Sequence, residues 1–204
     1  HAYRGELVTA ERLAEEACEI EIDRLERPIG KQDQYIAAFG GFRLIEFGPD
    51  EQVVAHPAQI PAEHRSRLVD RLLLFFTNRT RNADSILADQ QRNIPNRTDA
   101  LGALRNLAHA GAQYLSTRDL DAFGRALDDT WQLKKRLADG ISDGELDAVY
   151  NRAREGGALG GKITGAGGGG FLLLYVPPPR QDSVRRALST MRELPIGFEP
   201  DGSK

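Results

Sequence analysis

From Leu13 through Ala17 and Ile20 to Leu25, apolar residues recur near every 3.6 positions, the period of an amphipathic helix. Thr9 is placed to cap its start, and Pro28 and Gly30 to end it. The next stretch, GKQDQYIAAFGG at 30–41, breaks, resumes as a short helical piece and breaks again at Gly40 and Gly41. FRLIEF at 42–47 and QVVA at 52–55 flank the turn signal GPD and read as two strands. LLLFFT at 72–77 is short, aromatic and bounded by polar residues, which predicts a buried strand.

Helical periodicity then dominates near 80–92, 98–115, 119–138 and 143–155. Leu101, Leu104 and Leu107 form one apolar stripe; Leu120, Phe123, Leu127 and Trp131 form another. A glycine-rich loop leads into the strand FLLLYV at 171–176, and a proline triplet stops it. Residues 180–193 read as a last helix and IGFEP as a returning edge strand. The predicted class is α+β, an antiparallel or mixed sheet packed by helices. No linker rich in Pro, Gly and Ser divides the chain, so one compact unit is expected.

A chain of 204 residues can bury about 70% of its unfolded surface, which is enough for a substantial core. Apolar residues at 40% and charged residues at 28% indicate a globular rather than a disordered chain. The 27 basic residues are interleaved with 30 acidic ones for a net charge of -3. No broad polyanion-binding face follows, which argues against a nucleic-acid partner. Cys18 is the single cysteine, so no intrachain disulfide framework exists, and four scattered histidines leave little for a zinc site. A reducing cytoplasm fits this composition. There is no 18-residue apolar run to span a membrane. Association into a homo-oligomer is compatible with all of this.

Two glycine-bounded segments carry the candidate chemistry. GGKITGAGGGGFLLLY at 160–175 holds seven glycines in sixteen positions. Lys162 precedes most of the glycines and the run enters a strand, so neither the nucleotide-binding P-loop nor the dinucleotide fingerprint matches. Two readings stand: a nest of backbone N–H groups able to hold phosphate, and a tight turn or bulge that only permits close strand packing. Thr164, which adds a hydroxyl, and Lys162, which adds a cation, favour the nest. In the other segment, Asp33 beside Lys31 either caps a helix or orients and deprotonates a hydroxyl. Thr77, Asn78, Arg79 and Arg81 follow the buried strand; their arginines either grip a phosphate or form a solvated turn. Trp131 and Cys18 read as core, Lys134 and Lys135 as helix surface, and Asp128 and Asp129 show no metal-ligand pattern.

With ERPIGKQDQY, GGFRLIEF, LLLFFTNRTRNADSILADQ, WQLKKRLADGIS and GGKITGAGGGGFLLLYVPP in this order, the chain resembles the galactokinase, homoserine kinase, mevalonate kinase and phosphomevalonate kinase superfamily, most closely its heptose-phosphate kinase branch. The resemblance implies ATP and Mg²⁺ as cofactors and phosphoryl transfer to a sugar, with the C1 hydroxyl of D-glycero-D-manno-heptose 7-phosphate as acceptor. A related C1 kinase, such as one acting on fucose, and a noncatalytic sugar- or phosphate-binding module are the alternatives. It assigns Asp33 to the acceptor hydroxyl, and Lys31, Thr77, Arg79 and Arg81 to the substrate side. Lys162, Thr164, Gly165, Ala166, Gly167, Gly168 and Gly169 support the phosphate; the metal ligands are unassigned. It also implies that residues up to about 60 end an amino-terminal domain and that the rest form the carboxy-terminal one. The superfamily's upstream substrate segment and its central GLGSS-like ATP loop have no counterpart in these residues. The missing amino-terminal portion is therefore an expected partner, and this chain alone is expected to be nearly inactive.

Overall fold

Residues 1–80 and 82–203 are described by the computed structural model, and they form two compact units. The first comprises 1–58 together with 198–204, and the second 59–197.

In the first unit, helix α1 (Ala10–Cys18) begins where Thr9 accepts the Arg12 amide at 3.2 Å, satisfying one of the amides orphaned at a helix start. It widens into a π-helical turn over Glu19–Arg24. Helix α2 (Gln32–Phe39) follows, then strands β1 (Arg43–Phe47) and β2 (Val53–Pro57), paired antiparallel from Arg43 opposite Pro57 to Phe47 opposite Val53. Ala14, Cys18, Tyr35 and Ala38 form the small core between α1 and α2, so Cys18 is a packing residue as expected.

The second unit starts with α3 (Ala62–Val69) and β3 (Leu72–Phe76). Four helices come next: α4 (Ala83–Asn93), α5 (Thr98–Thr117), α6 (Leu120–Lys135) and α7 (Gly144–Gly156). Strands β4 (Gly160–Ile163) and β5 (Phe171–Tyr175), helix α8 (Gln181–Ala187) and strand β6 (Arg192–Leu194) complete it. The sheet order is β4-β5-β3-β6, antiparallel throughout. Leu73 lies opposite Leu174 and Phe75 opposite Leu172, and all four are buried in a core that includes Trp131, Ile141 and Tyr150. The Asn82 and Asp119 side chains cap α4 and α6.

Helix α6 and strand β4 come together through glycines. A Cβ on Gly160 would lie 2.1 Å from the Gly124 carbonyl oxygen and 2.6 Å from the Asp128 nitrogen. Both are backbone atoms that no rotamer change can move. Gly160→Ala is therefore expected to destabilise the full-length protein by about 3 kcal/mol, whereas Gly102→Ala, with nothing within 4 Å of its Cβ inside α5, should stabilise it by about 0.5–1 kcal/mol. Urea-unfolding midpoints shifting in opposite directions would show this.

Four expectations change. Residues 160–163 are a strand rather than the start of the loop, because β4 pairs along β5 from Gly160 opposite Tyr175 to Ile163 opposite Leu172. The last helix ends at Ala187, and the edge strand is Arg192–Leu194. IGFEP is not a strand; Pro195 precedes it and Pro200 ends it, and proline cannot donate to a ladder. Phe198 instead stacks on Phe42 at 4.9 Å, and Glu199 accepts the Gly41 amide at 2.8 Å. Helix α3 was not foreseen.

Candidate functional site

The glycine-rich segment is the connection of the β4–β5 hairpin, residues 164–170, closed by the Thr164 amide donating to the Phe171 carbonyl at 2.8 Å. Gly165, Gly167, Gly168, Gly169 and Gly170 all have positive φ, the region that other residues enter at a steric cost. Two of these glycines also make room for neighbouring backbone. A Cβ on Gly167 would fall 2.7 Å from the Ile141 carbonyl oxygen, and one on Gly169 would fall 2.7 Å from that of Arg79. Gly165 and Gly170 border open space.

Several segments hold this connection. Ile141 accepts the Gly168 amide and Arg79 the Gly170 amide, each at 2.8 Å. Thr77 donates both its amide and its hydroxyl to the Gly170 carbonyl, each at 2.9 Å. The Lys134 ammonium, at the end of α6, donates to the Gly165 carbonyl, and the Gln90 amide of α4 donates to the Ala166 carbonyl at 3.5 Å. No peptide bond here is cis, so N–H and C=O point opposite ways across each peptide plane. Holding those two carbonyls turns the Ala166 and Gly167 amides away from the protein groups that hold them. Neither amide makes a hydrogen bond among the described residues. Gly167 and Gly169 are thus needed for close packing against the Ile141 and Arg79 backbone.

Thr77 and Arg79 serve the loop directly. The Arg79 guanidinium grips Asp143 bidentately, Nη1 to Oδ1 at 2.9 Å and Nη2 to Oδ2 at 2.6 Å, with Glu145 at 3.2 Å. Hydrogen bonding to Asp143 raises the already high Arg79 pKa. Rather than presenting an unengaged cation to a phosphate, this side chain is occupied by carboxylates. Lys162 lies on β4 opposite Leu173. The expectation for Arg81 falls outside the described residues.

In the first unit, Asp33 is the second residue of α2. The cap position belongs to Lys31, and no side chain makes a capping bond there, so the helix-cap reading of Asp33 is set aside. Asp33 is exposed and has no hydrogen-bond partner among the described residues. It borders a groove of about 400 Å³ with Leu13, Ala17, Gln34 and Ala38. Lys31 donates to Glu51 at 3.0 Å, and that bond raises its pKa. Its ammonium is thereby held beside β2 instead of beside Asp33.

Sequence reading placed Lys134 among surface lysines and gave Gln90 and Asp143 no role. Their loop contacts join residues 31 and 76 positions apart, and the Arg79–Asp143 pair spans 64; no local pattern encodes them. Asp128 accepts the Tyr150 hydroxyl at 2.7 Å and pairs with Arg154 at 3.3 Å. Burial first, and that bond second, push the Tyr150 phenol far up.

The chain is 34% identical over 157 residues to a D-glycero-alpha-D-manno-heptose 7-phosphate kinase of Campylobacter jejuni, the alignment covering 76% of this chain and 46% of the relative. A D-glycero-D-manno-heptose 1-phosphate kinase from Bacteroides thetaiotaomicron superposes with a TM-score of 0.73 at 27% identity, covering 98% of this chain and 56% of that one. Lactococcus lactis galactokinase, at 16% identity and a TM-score of 0.71 over 98% of this chain and 62% of that one, shares the fold. The chain thus spans about half the length of the curated relative it matches. Residues 100–193, which carry the glycine hairpin together with Lys134, Ile141 and Asp143 that hold it, match the family described as GHMP kinases C terminal.

Proposed function

We propose that the chain is the carboxy-terminal part of an ATP-dependent sugar kinase that phosphorylates the C1 hydroxyl of D-glycero-D-manno-heptose 7-phosphate. The observation that carries this reading is the hairpin at 164–170, whose Gly165 and Ala166 carbonyls are held by Lys134 and Gln90 while the Ala166 and Gly167 amides make no hydrogen bond among the described residues. Fixed amide dipoles suit a transferring phosphoryl group, since they need no reorganisation as charge moves. The identity to a heptose 7-phosphate kinase supports the choice of sugar.

ATP, when bound, supplies the γ-phosphoryl group. The loop amides of the second unit would donate to phosphate oxygens, and Asp33 of the first unit is the group proposed to orient an acceptor hydroxyl and take its proton. Among the described residues no group of three His, Cys, Asp or Glu side chains could hold a metal. Mg²⁺, when bound, would neutralise the nucleotide phosphates, and its protein ligands are unassigned. Activity belongs to that longer protein, with little expected from residues 1–204 alone. The cytoplasm, where ATP and a reduced Cys18 thiol coexist, is its proposed location. Its product would be an intermediate toward nucleotide-activated heptose for surface polysaccharide. No helix of the described residues is long and apolar enough to cross a membrane.

The test is an ATP-consumption assay of the full-length protein with Mg²⁺ and a panel of heptose 7-phosphate, fucose, galactose and mevalonate. Heptose 7-phosphate is expected to give a kcat/KM at least about tenfold above the others, the step that one well-placed polar contact provides. A preference for fucose would move the protein to the neighbouring C1 kinases. Absence of turnover on every acceptor would favour a binding module.

A further inference from the structure

The Arg79–Asp143 ion pair closes a ring of bonds around the glycine hairpin. Arg79 uses its main chain to accept the Gly170 amide and its guanidinium to grip Asp143. Two residues before Asp143, the Ile141 carbonyl accepts the Gly168 amide. Asp143 is itself fixed at the start of α7, where Oδ1 accepts the Glu145 and Leu146 amides at 3.1 and 3.0 Å. Following the bonds leads from Arg79 to Gly170, through the loop to Gly168, across to Ile141 and Asp143, and back through the guanidinium to Arg79. Five positive-φ glycines in this segment have many conformations to lose on ordering, so a loop of this composition needs external restraint to stay in one of them.

We propose that Arg79 and Asp143 act as a single positioning pair that sets the hairpin for phosphoryl transfer. The proposal rests on the kinase reading above. The pair is suited to this task because its side chains are only 23% and 31% exposed, and a bidentate, charge-assisted bond fixes direction as well as distance. The alternative for Arg79, gripping a sugar phosphate, makes a different prediction about Asp143. If the arginine served the substrate, removing Asp143's charge would release it and leave binding intact or tighter. As a positioning pair, the two residues lose function together.

Arg79→Met and Asp143→Asn in the full-length kinase separate these cases, because asparagine caps a helix about as well as aspartate while losing the charge that Arg79 grips. Each variant is expected to lower kcat about tenfold, less than the roughly 100-fold of a full 1 Å displacement because the loop's main-chain bonds remain, with the sugar-phosphate KM within about twofold of the parent. The double variant should be no worse than either single one, and Arg79→Lys should recover part of the loss. Amide hydrogen exchange at 164–170, measured without substrate, should accelerate in both single variants while α5 and α6 exchange as in the parent. Unchanged loop exchange would overturn the proposal, as would a KM rise confined to Arg79→Met or kcat losses that multiply in the double variant. If the full-length parent phosphorylates no acceptor, the kinase reading fails, and the exchange rates alone decide whether the pair holds the loop.

Discussion

Gly167→Val in the full-length kinase is expected to lower kcat/KM at least about 100-fold, the scale of loss when a catalytic element is displaced by about 1 Å. At this position φ is +104°, and even a bare Cβ would stand 2.7 Å from the Ile141 carbonyl oxygen and 2.9 Å from its Cγ2. Valine adds two γ carbons and a stiff χ1 to that clash. The oxygen it would strike is the one that accepts the Gly168 amide, so relief of the clash breaks the bond that seats the loop. Gly165→Ala is the matched control. Its φ is +70° but its Cβ meets nothing within 4 Å, leaving mainly the left-handed backbone cost of about 1–2 kcal/mol, so kinetic damage should be much smaller. Steady-state kinetics at a temperature where both variants stay folded distinguish them, and a Gly167→Val enzyme matching the parent would remove any tight backbone role for this glycine.

Asp33→Asn should reduce kcat about 100-fold or more, the contribution expected of a positioned general base, with a much smaller change in ATP affinity. Asparagine keeps the shape and one acceptor oxygen but cannot take the hydroxyl proton. Because Asp33 is exposed and makes no capping bond, the substitution should leave unfolding within about 0.5 kcal/mol of the parent. A direct binding measurement must accompany kcat, since KM alone does not report dissociation. Unaltered turnover in a folded Asp33→Asn enzyme would end the proton-acceptor assignment.

Elements with a strong local signal were legible in the sequence. The Thr9 cap, the LLLFFT strand and the burial of Trp131, now 1% exposed, followed from capping chemistry and hydrophobic period. Helix α3, AEHRSRLV, was missed because His64 and Leu68 are its only buried residues, which leaves too thin an apolar stripe. Strand β4 was hidden by its two glycines, of which Gly160 makes room for α6 and Gly161 for the backbone of β5. The sequence made the glycine run visible but not the restraints on the loop. For Arg79 only the residue type was visible; its partner Asp143 lies 64 residues away. Lys134 looked like solvent-facing charge because its one-turn neighbours gave no hint of the Gly165 carbonyl.

The central claim is that this glycine hairpin belongs to a kinase that phosphorylates a sugar at C1. Its most direct test is ³¹P NMR of the reaction of the full-length protein with ATP, Mg²⁺ and D-glycero-D-manno-heptose 7-phosphate. The account predicts loss of the ATP γ-phosphate signal and growth of a second sugar phosphate signal coupled to the anomeric proton. Consumption of ATP to inorganic phosphate alone, or a new phosphate on a carbon other than C1, would contradict it.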